Sequence, residues 1–504
     1  MSLLRKLAGE TAVYGATTVA ARLLNYLLVP IHTRVFAPEE YGIVTDLYAY
    51  VGFFVVLFSY RMETAYFRFA GNDPAQQRRT FVTASGSILL SSLVLSGLLA
   101  LNAEPLAIAL RYSHQDWAVA WMALVLGLDA LTAIPFAQLR HRGRAARFGM
   151  ARMLNIGVNI GASLFFLLLC PALYEKGVGW VNLVYDPDLG VGYVFYANFL
   201  ASLATLVFVL PEFGGLEQLK VFWRDFDGEL WKKMMRYGLP LVVVGLAGIV
   251  NEVLDRILLK YLLPGDLETR LTGVGIYGAC YKLAMLMTIF TQAFNYASEP
   301  FFFRHADRGD APALYARVAR AFAAVGALVF AGVMLFLDVF QLFIGEGGYR
   351  EGLAVVPILL MANLLLGLYY NVSVWFKLTD RTLMGAWIAL GGAAVTIALN
   401  VWLIPQIGYL GSAWATLACY ATMLLITWAL GRLFYPVPYP VPRILLYIAA
   451  GMATYLLGQL LQEWTDYGFW PEMFVNTLLL GGFAAYLADA EGLDFPFFSK
   501  KIFA

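Results

Sequence analysis

What most constrains this chain is a run of about 20 apolar residues that recurs along almost its whole length, separated by short polar connections. A helix of that length crosses the roughly 30 Å hydrocarbon core of a bilayer. Composition agrees: 61% of the 504 residues are hydrophobic and 14% are charged, against roughly 25% charged in soluble globular chains. A large soluble catalytic domain is excluded, and the predicted class is an all-α polytopic membrane protein.

Windows of about 19 residues place fourteen helices near 11–36, 41–66, 80–101, 117–139, 149–171, 191–211, 236–262, 273–298, 314–343, 352–376, 383–404, 410–432, 443–461 and 473–488. An even number puts both termini on one side. Lys and Arg in short loops are retained in the cytoplasm, and the termini with the even-numbered loops hold 25 of them against six on the other face. Both termini are therefore predicted to be cytoplasmic, with Arg140-His-Arg142-Gly-Arg144-Ala-Ala-Arg147 as the densest signal. The first helix is read as retained, without a cleavable signal peptide. The formal net charge of +1 gives no reason to expect nucleic acid as a partner. Cys170, Cys280 and Cys419 lie in apolar surroundings with no metal or disulfide spacing.

The second and eighth predicted helices end alike, with Glu63-Thr-Ala-Tyr-Phe-Arg68-Phe-Ala against Glu299-Pro-Phe-Phe-Phe-Arg304-His-Ala. Tyr14-Gly15 before Arg34 is echoed by Tyr237-Gly238 before Arg256, and Tyr41-Gly-Ile43 by Val274-Gly-Ile276. Six helices separate the copies, so the predicted plan is a parallel repeat of two six-helix lobes plus two appended helices. The N-lobe is 1–211, a cytoplasmic amphipathic linker 212–235 and the C-lobe 236–434. A proline-rich linker at 435–442 leads into 443–504, the last two helices and a cytoplasmic tail.

A charge in mid-span costs at least about 2.5–3.5 kcal/mol and requires a partner or a wet cavity. In the first helix Tyr14, Thr18, Arg22, Asn25 and His32 fall within an arc of about 80°, a stripe unsuited to lipid and assigned to a cavity. Asp46, Tyr50 and Arg61 share a face of the second helix, and Lys282, Gln292 and Glu299 one of the eighth. Arg22, Asn25, Arg61 and Lys282 are the candidate substrate-binding residues. Asp46, Glu63, Arg68, Glu299 and Arg304 are the candidates for gating or ion coupling, with Glu63/Arg68 and Glu299/Arg304 as gate pairs. Arg256 reads as a structural partner of Glu252, four residues before it. Gly157-Val-Asn-Ile-Gly161 reads as a close helix contact. No GxxxxGK[ST], HExxH or GxSxG motif occurs, so a secondary transporter rather than an enzyme is expected.

The stretch Tyr14-Gly15…Ala21-Arg22-Leu-Leu-Asn25…Pro30…Thr33-Arg34-Val-Phe-Ala-Pro38-Glu-Glu-Tyr41-Gly42 resembles the polysaccharide-transport flippases of the O-antigen type, within the MOP superfamily and related to lipid II flippases. The resemblance implies a bacterial inner-membrane protein that moves undecaprenyl-pyrophosphate-linked oligosaccharide to the outer leaflet by alternating access. It also implies a cationic cavity, membrane lipids and other polysaccharide-assembly proteins as partners, and no cofactor beyond a coupling ion, Na⁺ or H⁺. Arg22 matches a cavity arginine of the lipid II branch, whereas Lys282 stands where an arginine is expected. The alternatives are a MATE-like, cation-coupled drug exporter and a membrane glycan polymerase or ligase. A polymerase or ligase requires a large loop with catalytic Arg or His, which 172–190 lacks.

Overall fold

A computed structural model describes residues 23–492 except 25, 72, 113–115, 215–221, 307, 347 and 466–467. Among the described residues every regular element is helical. After α1 (Val29–Val35) come thirteen helices long and apolar enough to cross a membrane. They are α2 (Pro38–Phe69), α3 (Pro74–Leu101), α4 (Trp117–His141), α5 (Ala145–Glu175), α6 (Gly192–Phe213), α7 (Gly228–Leu262) and α8 (Leu267–Phe303). Then follow α9 (Ala311–Leu335), α10 (Val355–Leu378), α11 (Thr382–Ile407), α12 (Tyr409–Phe434), α13 (Val441–Trp464) and α14 (Phe469–Glu491). The protein is an all-α polytopic membrane protein, and each of these thirteen helices overlies one of the predicted apolar windows. Half of the first window lies outside the described residues.

The chain divides into two compact units, Met1–Ile257 and Leu258–Ala504. In the first, α4 packs against α2, α3 and α6, and α6 against α5. Phe58, Tyr66, Phe81, Leu126 and Met234 form part of its buried core. Two departures from helical geometry matter here. In α2 the helix breaks at Tyr60 and Arg61, both left-handed (φ 30° and 57°). Pro171 has no N–H to continue the α-helical ladder of α5, and one π turn, Phe165–Leu169, precedes it.

The linker is docked rather than loose where it is described. Arg78 pairs with Asp225 at 2.7 Å and Arg79 with Asp227 at 3.6 Å. The Asp227 amide donates to Thr83 Oγ1, and Trp231 Nε1 donates to Ser87 Oγ at 2.8 Å. Residues from Gly228 onward already belong to α7, so they extend that helix instead of forming a separate one.

In the second unit α10 packs against α8, α9 and α12, α11 pairs with α12, and α13 and α14 cover α9. The last two helices are locked on by polar anchors. Glu491 accepts from Tyr447 OH at 2.6 Å and pairs with Arg320 at 2.8 Å, and Asn476 Nδ2 donates to the Leu335 carbonyl at 2.7 Å.

Gly157 and Gly161 correct the close contact expected of them. Nothing lies within 4 Å of a Cβ built at either, because this glycine face of α5 points away from its neighbours. Lys260, one of the six Lys and Arg residues assigned from the sequence to the non-cytoplasmic face, lies inside α7 and is fully buried.

Candidate functional site

The first unit encloses a cavity of about 310 Å³ whose lining includes Arg61, Glu63, Asp129, Arg140, Arg152 and Asn155. Three helices turn polar stripes toward it. On α4 these are Asp129, Thr132, Phe136 and Arg140; on α5, Phe148, Arg152 and Asn155; on α6, Asn198 and Thr205. The intervals of three, four and seven residues place each set on one helical face.

Arg61 reaches the cavity because α2 breaks there. Tyr60 OH lies 2.7 Å from Ser87 Oγ, which also accepts from Trp231, so the break is pinned on the far side. On the near side α7 makes room with glycines. A Cβ at Gly238 would lie 3.1 Å from the Tyr60 carbonyl oxygen, and one at Gly245 would lie 2.5 Å from the Arg61 guanidinium. A larger residue at Gly245 displaces the guanidinium.

The cavity's neutral groups are ordered. Ser202 Oγ donates to Asp129 Oδ1 at 2.6 Å. Asn155 Nδ2 donates to Thr205 Oγ1 at 2.9 Å, while Thr205 Oγ1 donates to the Ala201 carbonyl at 2.7 Å. That chain fixes the orientation of Asn155 and leaves its carbonyl oxygen as the end facing open space. Asn198 Nδ2 donates to Tyr48 OH at 2.8 Å. Arg152 lies over the Phe136 ring at 4.5 Å, and Arg140 over Phe67 at 4.9 Å. Arg61, Arg140 and Arg152 outnumber Glu63 and Asp129 by one charge. The arrangement suits an anionic group carrying hydrogen-bond donors.

The other candidate residues are dispersed. Arg22 and Asn25 lie outside the described residues. Asp46 is fully buried away from the cavity and accepts from Tyr112 OH at 2.7 Å. Arg68 lies over the Tyr237 ring at 4.8 Å, and among the described residues neither it nor Glu63 joins an ion pair. In the second unit Lys282 is half-buried on α8, and Glu299 pairs with Lys377 at 2.5 Å; the side chain of Arg304 is not among those described. Arg256 reaches the Asp255 carboxylate at 3.1 Å and the backbone carbonyl of Glu252, whose own side chain is exposed. Sequence reasoning missed Arg152, Asn155 and Asn198. The stripe arithmetic applied to the second and eighth helices finds Arg152 and Asn155 when it is extended to the fifth window, 149–171.

Residues 7–305 match the model of a family described as polysaccharide biosynthesis protein. The chain belongs to this family. No curated protein matches its sequence. Among solved structures the polysaccharide biosynthesis protein is similar to the lipid II flippase MurJ in an inward closed conformation. The TM-score is 0.65 at 11% identity, over 94% of this chain and 98% of that one. It is also similar to a multidrug resistance MATE family transporter of the MOP superfamily in its inward-facing conformation. There the TM-score is 0.63 at 16% identity, over 82% of this chain and 94% of that one. An outward-facing MATE structure matches with TM-score 0.52 and 17% identity, over 85% of this chain and 94% of that one. These likenesses show the fold alone.

Proposed function

We propose that this polysaccharide biosynthesis protein is a flippase that moves undecaprenyl-pyrophosphate-linked oligosaccharide, of the O-antigen kind, from the inner to the outer leaflet of a bacterial cytoplasmic membrane. The observation that carries this reading is the charged cavity among membrane-spanning helices, with three arginines around a void large enough to admit a head group. A guanidinium binds phosphate oxygens bidentately. An inside-negative potential contributes about 2.3 kcal/mol per charge per 100 mV to outward movement of an anion. Alternating access between the two six-helix lobes completes the cycle, with both termini cytoplasmic. Arg22, Asn25 and Lys282 are assigned with Arg61 to head-group contact, and Asp46, Glu63 and Glu299 to coupling by Na⁺ or H⁺. Transport, not catalysis, is the activity.

Arg61→Gln and Arg152→Gln, in cells lacking any other flippase for the same glycan, should each lower surface glycan at least tenfold at unchanged membrane abundance. Normal export by both variants would sink the reading.

The MATE likeness, together with Glu63 and Asp129 in the cavity, favours a second reading, cation-coupled drug export. It requires resistance to cationic drugs on expression, lost in Asp129→Asn, and no effect of either arginine variant on surface glycan.

A further inference from the structure

A second cavity, of about 230 Å³, lies in the first unit where α3, α4 and α6 end together, lined by Arg78, Phe81, Gln138, Arg142, Glu212 and Phe213 among others. It is separate from the arginine-lined cavity, facing the other side of the last turns of α4. Its chemistry is unspent in one specific place. Gln138 lines it and is only 2% exposed, and its side-chain amide makes no hydrogen bond among the described residues, with Oε1 buried and unpartnered. A buried amide in that condition calls for a ligand or an ordered water.

The surroundings decide what kind of ligand. Glu212, buried at 2% of its side-chain surface, lies 3.0 Å from Arg147 and 3.5 Å from Arg144. Arg142 only approaches it, at 4.0 Å, so this guanidinium keeps donors for an anion. The Phe81 and Phe213 rings, 5.5 Å apart and steeply inclined, form an apolar wall. A phosphate alone would satisfy Arg142 but brings few hydrogen-bonding groups for the Gln138 amide and Glu212. A free sugar would satisfy the amide and carboxylate but leave the cationic excess. Sites for drug-sized ligands occupy roughly 300–1,000 Å³, and this smaller cavity suits a single ring with its phosphate.

We propose that this cavity binds a sugar phosphate: the pyranose against Phe81 and Phe213, its hydroxyls on the Gln138 amide and Glu212, and its phosphate on Arg142. The inference rests on the flippase reading and deepens it, since the sugar phosphate at the head of a lipid-linked glycan has this chemistry. It would be held at the end of the first unit bearing the 140–148 loop, apart from the transport cavity. A free sugar phosphate has the same chemistry, and the two sources are separable.

The purified full-length protein in detergent is titrated with glucose 1-phosphate, and its thermal unfolding midpoint is followed, since a ligand of the folded state raises it saturably. Glucose 1-phosphate should half-saturate at least tenfold below inorganic phosphate or glucose. Gln138→Leu should raise that concentration at least tenfold without lowering the ligand-free midpoint, and Arg142→Gln, on a half-exposed side chain, should do the same if the leucine variant does not fold. A polyprenyl-phosphate glucose acting at lower concentration than the free sugar phosphate identifies the lipid head group as the source, and the reverse order identifies the free metabolite; both support the site. No response to either, equal action of inorganic phosphate, or parental saturation in both variants overturns it. Arg61→Gln separates the two proposals, because it should lower export at least tenfold yet keep the parental saturation. Retained export in that variant and in Arg152→Gln removes the flippase reading alone.

Discussion

The α4–α5–α6 seam of the first unit and the α8–α10 seam of the second are both polar, yet they are built oppositely. The first surrounds a void with full charges, Asp129 and Arg152 among them. In the second, neutral groups are packed tightly. Thr291, Asn363 and Asn371 are buried to 2%, 2% and 4% exposure. Thr288 Oγ1 donates to Asn363 Oδ1 at 3.0 Å, and the two asparagine amides donate back to the Leu359 and Gly367 carbonyls. A charge within a bilayer needs water or a counter-charge, so the void is what permits charges in the first unit. The dry seam holds neutral groups instead, several of them hydrogen-bonded within it. Binding chemistry is thereby concentrated in one seam and rigidity in the other.

The sharpest way to break that comparison is to place the same carboxylate in both seams. Asn363→Asp should destabilise the protein by at least about 2.5–3.5 kcal/mol, since the acid would stand buried among the neutral groups of this seam. Asn155→Asp should cost less than about 1 kcal/mol, because it opens onto the cavity one turn from Arg152. Unfolding midpoints and the yield of monodisperse protein measure both. Equal losses would mean that the cavity is dry.

Added volume should separate the seams next. A Cβ at Gly367 would meet Phe322 Cζ at 2.1 Å, whereas at Gly157 it meets nothing within 4 Å. Gly367→Ala should therefore cost about 1–3 kcal/mol by overpacking. Gly157→Ala should stabilise α5 by roughly 0.5–1 kcal/mol through helix propensity. Opposite signs in thermal midpoint are the expected result, and a loss at Gly157 would restore the close helix contact that its spacing suggests.

That pair also marks what could be read in advance. Helix positions follow from hydropathy, a local property, and the thirteen helices α2–α14 fall on the predicted windows. Which face of a helix meets a neighbour is not local, and GxxxG spacing cannot tell an interface from an open face. Charge near a helix end is ambiguous for a related reason. Arg152 follows four arginines of a loop, but α5 begins at Ala145 and carries it two turns inward. Arg68 turns to Tyr237, and Glu299 finds Lys377 78 residues away. The vacant amide of Gln138 has no signature in the sequence at all, because a glutamine next to a basic loop reads as surface.

Smaller differences should follow from single hydroxyls. Thr291 Oγ1 is buried without a hydrogen-bond partner, so Thr291→Val removes an unsatisfied group at nearly constant shape and should be neutral or stabilising. Ser202→Ala deletes the donor to Asp129 and should cost about 1 kcal/mol, with cavity water replacing part of the bond. If Ser202→Ala proved the more stabilising of the two, the assignment of wet and dry seams would be reversed.

The smallest effect is expected at the entry to α8, outside the membrane-spanning part of the dry seam. Asp266 Oδ1 accepts from the Thr269 amide at 3.0 Å, capping the helix. Hydrogen bonds from Thr269, its side chain first, hold the Asp266 carboxyl below its ordinary value of 3.8. A carboxyl depressed by folding contributes its stabilisation above the unfolded value and loses it as pH falls through the folded one. Amide exchange in residues 267–270, corrected for the intrinsic pH dependence, should thus be slow at neutral pH and accelerate only below about pH 3.8. Asp266→Ala should exchange fast at every pH, and Asp266→Asn, a cap without a titrating proton, should show no acid step. The buried α8–α10 seam carries no such cap, so protection around Thr288 and Thr291 should stay level across the same range. An acid step there would mean that the helix end and the seam open as one unit.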